Sequence, residues 1–136
     1  MKKILLDTNI ILDVLLDRRP HVEASAAVWT AAETGTTEGM LAAHAVTTIH
    51  YLLQKEMTSV KAKRTISAIM RVFGVAAVDG AVIDEALRLA FADFEDAVTA
   101  AAARSSGCDY IVTRDPKGFR GSPVPSLTPE AIMPIL

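Results

Sequence analysis

Ile4-Leu5-Leu6 runs without a polar break and stops on Asp7. A short, continuously apolar run of this kind reads as a strand covered on both faces, the pattern of a parallel sheet rather than a half-solvated antiparallel one. In such a sheet the reactive groups gather beyond the carboxyl ends of the strands, so an acid at that place is a candidate site residue from the outset.

The rest of the chain repeats the theme. Apolar residues at Ile11, Leu12, Leu15 and Leu16 have helical spacing and predict a helix over Ile10–Leu16, broken by Arg18-Arg19-Pro20. A second helix is expected over His21–Glu33, stopped by Gly35, with Trp29 packed between helices or at a dimer contact. Met40–Ala43 reads as a second strand, followed by helices at Ala45–Lys55 and Ser59–Val72, the latter with Ser59 as N-cap. Val75–Val78 reads as a third strand, and helices are expected at Val82–Ala90 and Phe94–Arg104, closed by Gly107. Asp109–Thr113 is a fourth strand, Val124–Leu127 a short fifth, and Pro129–Ile135 a final turn or two of helix. Strands alternating with helices predict a three-layer α/β/α sandwich around a mainly parallel sheet, with residues 1–136 forming a single domain.

Composition narrows the function. Lys and Arg number 14 and Asp and Glu 16, for a formal net charge of −2, which argues against a protein that coats nucleic acid through bulk positive charge. Hydrophobic residues make up 51% of the chain, enough for a folded core. The single Cys108 excludes a disulfide framework and fits a reducing cytoplasm. Asp7 interrupts the first apolar run too early for a signal peptide or membrane span, so a cytoplasmic location is expected.

The parallel topology puts Asp7, Asp115 at the end of the fourth strand, and Asp96 in the first turn of the Phe94 helix on one rim, with Asp93 just before them. Clustered carboxylates raise one another's pKa, and a hard divalent cation relieves that repulsion through the oxygen ligands it prefers. Mg²⁺ or Mn²⁺ so held can polarise a phosphodiester and activate water. Asn9 and Thr113 could orient a ligating carboxylate or a bound water. The bland readings stand beside these: Asp7 and Asp93 are natural N-caps, Asp96 suits a helix N-terminus, and Asp115 before Pro116 suits a turn. Asp13 is expected to face solvent. His44 and His50 lack the i, i+4 spacing of a helical zinc pair.

Leu5-Leu6-Asp7-Thr8-Asn9-Ile10-Ile11-Leu12-Asp13, Phe94-Glu95-Asp96-Ala97-Val98 and Ile111-Val112-Thr113-Arg114-Asp115 together resemble the three acidic motifs of PIN-domain ribonucleases, in the same order and over nearly the whole chain. The likeness is strongest to the VapC-type toxins of toxin–antitoxin pairs. It implies a Mg²⁺- or Mn²⁺-dependent endoribonuclease with Asp7, Asp96 and Asp115 as metal ligands, RNA as substrate, a cognate antitoxin as partner and a homodimeric state. One departure stands out. Thr47-Thr48-Ile49-His50-Tyr51 fits the family's pattern of Thr, two residues, Glu and Leu with His50 in the Glu position.

His50 is then a metal ligand, a phosphate donor, an acid–base group or a structural histidine. Arg114 and Lys117, beside the rim, are the candidate RNA-phosphate contacts. A second basic stretch comprises Lys55, Lys61, Lys63, Arg64 and Arg71, with only Glu56 opposing it. Two alternatives remain: a catalytically weak PIN module that binds RNA or protein, and a phosphatase-like hydrolase with a nucleophilic Asp7. The latter lacks the second acid such sites want, because Asn9 stands there.

Overall fold

The computed structural model describes residues 1–136. Its centre is a five-stranded, all-parallel sheet in the order β3-β2-β1-β4-β5. The strands are β1 (Lys3–Leu6), β2 (Glu38–Ala42), β3 (Gly74–Ala76), β4 (Tyr110–Val112) and β5 (Ser126–Leu127). Around them lie α1 (Thr8–Leu15), α2 (Val22–Glu33), α3 (Ala43–Leu53), α4 (Ser59–Met70), α5 (Gly80–Arg88), α6 (Phe94–Ser105) and α7 (Pro129–Ile132). Short 3₁₀ turns span Pro116–Phe119 and Met133–Ile135. No helix is long and apolar enough to cross a membrane.

The period of two along each strand separates the core into layers. Leu5 and Ile111 face one side and pack with α5 and the alanines of α6. Ile4, Leu6, Leu41 and Val112 face the other and pack with Ile10 and Ile11 of α1, Val28 of α2, Ile49 and Leu53 of α3 and Ile69 of α4. The apolar run at the start of the chain is thus covered on both faces, and the three-layer α/β/α expectation holds. Ala97 to Ala103 of α6 are all buried, because small side chains let this helix lie close to the sheet while keeping high helix propensity. Trp29 packs edge to face on Phe73 at 5.1 Å between centroids.

Element ends differ from the sequence reading for identifiable reasons. α1 begins at Thr8 rather than Ile10, because the Asp7 carboxylate accepts the Thr8 N–H and caps the helix. β3 ends at Ala76 rather than Val78: its partner β2 offers no residue beyond Ala42, where α3 begins. β5 is only Ser126–Leu127, and the preceding Pro125 has no N–H for a ladder. Thr58, not Ser59, caps α4, its hydroxyl accepting the Lys61 N–H at 3.2 Å.

The largest departure is Asp13. Far from facing solvent, it is fully buried. Its Oδ2 lies 3.0 Å from Arg114 Nε and accepts from Ser25 Oγ at 3.0 Å. α1 is enclosed by the sheet, α2 and the stretch after β4, so the polar side of its middle turn has no route to water.

Strand order reverses between β1 and β4: the chain builds β1, β2 and β3 outward in one direction, then places β4 and β5 on the other side of β1. The crevice beyond the carboxyl ends of β1 and β4 is the switch point where ligands bind in open α/β sheets.

Candidate active site

Asp7 and Thr113 follow the last residues of β1 and β4, which pair as Leu6 with Val112. Their side chains bridge the two strand ends: Thr113 Oγ1 donates to Asp7 Oδ2 at 2.9 Å and accepts the Asp115 N–H at 3.1 Å. The other Asp7 oxygen accepts the Thr8 N–H at 2.9 Å. One buried hydroxyl therefore ties both strand-end acids into a fixed relation. Asp7 is raised above its usual pKa chiefly by burial; the Thr113 and Thr8 hydrogen bonds pull against that, Glu95 pushes further up, and His44 pulls down.

Asp96 comes in from α6. Asp93 caps that helix by accepting the Asp96 N–H at 3.1 Å, so the expected cap and the expected site neighbour are one residue. Asp96 is raised to about 6, first by burial and then by Asp7, Asp93, Glu95 and Asp115. Every charge acting on it is negative. Asp115 itself is exposed on the rim. Gly118, in the turn that follows, shows how closely the two acids share a space: a Cβ there would stand 3.3 Å from Oδ2 of both Asp96 and Asp115.

Asp7 and Asp96 bound a cavity of about 250 Å³, which Asp93 and Asp115 do not line. α1 and its cap supply Asp7, Thr8, Asn9 and Leu12, and α6 supplies Glu95 and Asp96. Thr48 and Leu52 of α3 form a further wall, with Arg18 completing it. Glu95, Thr48 and Arg18 were not singled out in the sequence. Glu95 was legible in principle, as the acid beside Asp96 in the first turn of α6. Thr48 and Arg18 were not, because neither residue type at its spacing signals chemistry. His44 lies behind the acids, its Nε2 3.3 Å from the Thr99 hydroxyl, which donates to the Glu95 carbonyl at 3.0 Å.

His50 is not part of this pocket. It lines a separate groove with Val46, Thr47, Lys63, Ile66 and Ser67 between α3 and α4. At 3.6 residues per turn, His50 points about 200° away from Thr48, so the α3 position facing the acids is Thr48. Its hydroxyl reaches Glu95 Oε1 at 3.5 Å, and the carboxylate on this side of the pocket comes from α6 rather than α3. Arg114 is likewise committed elsewhere, to buried Asp13. Lys117 is exposed, next to Gly118. Asn9 is exposed at the pocket's edge.

The donor set is all oxygen and largely carboxylate, the chemistry of a hard divalent cation. No three of these side chains converge tightly enough to ligate an ion as they stand. No positive charge acts on Asp96.

An all-parallel, three-layer α/β sandwich with strand-end carboxylates at its switch point defines the class. The chain belongs to the PIN domain family, whose model matches residues 3–117. No curated protein matches it. Among solved structures, VapBC2 of Rickettsia felis bound to promoter DNA matches with a TM-score of 0.73 at 11% identity, covering 93% of this chain and 98% of that one. A toxin–antitoxin complex from Klebsiella pneumoniae matches with a TM-score of 0.70 at 20% identity, over 93% and 97%. VapC20 of Mycobacterium tuberculosis, a toxin that cleaves the sarcin–ricin loop, matches with a TM-score of 0.62 at 19% identity, over 79% and 86%.

Proposed function

We propose that this chain is a metal-dependent endoribonuclease, the toxin of a toxin–antitoxin pair. The observation that carries this is Asp96, raised to about 6 by burial and by neighbouring acids, with Asp115 so close that a Cβ at Gly118 would stand 3.3 Å from an oxygen of each. Such repulsion is retained where a cation resolves it. Asp7, Asp96 and Asp115 would hold Mg²⁺ or Mn²⁺, which when bound supplies positive charge at a phosphoryl oxygen and a more acidic water.

The chain's own residues do the rest. Thr113 and the Thr8 N–H fix the Asp7 carboxylate, leaving its remaining lone pairs toward the cavity. Asp93 holds the first turn of α6 so that Asp96 faces Asp115. Asn9 orients groups at the pocket's edge, and Lys117 meets substrate phosphate at the rim. The sarcin–ricin loop cleavage of VapC20 supports RNA as substrate, and the Klebsiella toxin–antitoxin complex supports a cognate antitoxin as partner and inhibitor. A homodimer is part of the same reading.

Calorimetric titration with Mn²⁺ tests the site. The wild type should bind, and Asp7→Asn and Asp96→Asn should each lose at least about tenfold in affinity. A non-catalytic PIN module is the second reading, favoured by the neutral Thr48 where α3 faces the acids. No Mn²⁺ binding at millimolar concentration would contradict the metal-dependent nuclease and favour the module.

A further inference from the structure

Along α1 the pocket is asymmetric. Asp7 stands at the helix's amino end, Leu12 about one and a half turns further on, and Arg18 past its carboxyl end. At about 1.5 Å per residue, Asp7 and the helix's C-cap at Leu16 are about 13 Å apart along the axis. Arg18 is the one Lys, Arg or His lining the cavity. It takes part in none of the molecule's ion pairs, which join Arg19 to Asp17, Arg104 to Glu85 and Arg114 to Asp13. Nor does it appear among the charges acting on Asp7 or Asp96. A cation lining an acidic pocket without relieving its acids is placed for something else.

Its backbone is fixed on both sides. The Arg18 N–H donates to the Asp13 carbonyl at 3.0 Å, and its carbonyl accepts the Val22 N–H at 2.8 Å. Just before it, Asp17 turns the chain at φ +49°, a left-handed conformation that costs a non-glycine residue on the order of 1 kcal/mol. That turn brings Arg18 back toward Leu12 instead of letting it run on into solvent.

We infer that Arg18 grips an RNA backbone phosphate at the end of the pocket away from the acids, so that the pocket holds the substrate strand at two points. The acidic end holds one phosphate, the partly exposed Leu52 lies along the strand between, and the guanidinium holds a second. This rests on the ribonuclease reading above and adds, beside Lys117 at the rim, a residue inside the pocket that binds the substrate strand. A planar guanidinium suits phosphate through paired N–H donors.

The test compares wild type, Arg18→Gln and Arg18→Lys. Binding of a fluorescent single-stranded RNA is followed by anisotropy in Ca²⁺ across a salt series, and cleavage kinetics are measured in Mn²⁺. Arg18→Gln should weaken RNA binding and raise KM roughly tenfold, with kcat within about threefold. Its log affinity should fall less steeply with log salt, by about one. Arg18→Lys should restore the slope and most of the affinity. Mn²⁺ affinity should stay within about twofold in both variants, whereas a structural counter-ion of the acids would alter it. An unchanged KM and salt slope in Arg18→Gln, or a loss confined to kcat or to Mn²⁺ binding, overturns the inference alone. A wild type that binds Mn²⁺ but neither binds nor cuts RNA overturns the ribonuclease reading, and this inference with it.

Discussion

Asp96 is where residue-scale electrostatics give the sharpest consequences. Its folded pKa of about 6 lies above the usual 3.8, so between those values the folded chain binds more protons than the unfolded one. Stability from this group therefore increases as pH falls from about 7 to about 4, and is lost as pH rises through the folded value. Metal-free Asp96→Asn should be more stable than wild type near pH 7, by about 1 kcal/mol once solvent screening is discounted. The gap should close near pH 4. Thermal melts at both pH values check this, and an Asn variant less stable at pH 7 would contradict it. At Gly118, alanine should leave the melting temperature nearly unchanged while Mn²⁺ affinity falls about tenfold, because its Cβ would meet both carboxylates at 3.3 Å. Buried Asp13 makes the opposite case: Arg114→Ala should cost about 3 kcal/mol by leaving a buried carboxylate unpaired. The three strand-end and helix-end acids were legible as residues because their order along the chain fixes where a parallel sheet puts them. Asp13 was not, since nothing in a local window records that Ser25 and Arg114 close over it.

At the scale of elements, the apolar runs gave the strands and the helical spacing gave the helices. What periodicity cannot give is how a short helix is rotated about its own axis. α3 has threonine at both 47 and 48, and the motif aligned on one or the other puts its acidic position at His50 or Tyr51, whereas the residue that faces the pocket is Thr48 itself. Only packing decides it, through Ile49 and Leu53 buried against the sheet. Helix caps carry the same ambiguity where two hydroxyl residues adjoin. Thr58→Ala should destabilise the protein by about 1 kcal/mol, and Ser59→Ala by about 0.5 kcal/mol or less. Chemical denaturation distinguishes the two, and equal effects would contradict the assignment of the cap.

For the molecule as a whole, a net charge of −2 conceals a division. Acids converge on the switch point, while Lys63, Arg64 and Arg71 line a groove of about 590 Å³ on the outer side of α4. That groove carries no acid, thiol or histidine and so no hydrolytic chemistry, although it is the larger of the two. The fold's topology, more than any single motif, concentrates reactive groups at one place, and the sequence made that topology readable through its alternation of buried strands and helices. The most direct measurement is RNA cleavage in Mn²⁺ by wild type and Asp7→Asn, side by side and with matched melting profiles. The account predicts cleavage by the wild type and a loss of at least about a hundredfold in the variant. Cleavage that persists undiminished in Asp7→Asn would contradict it.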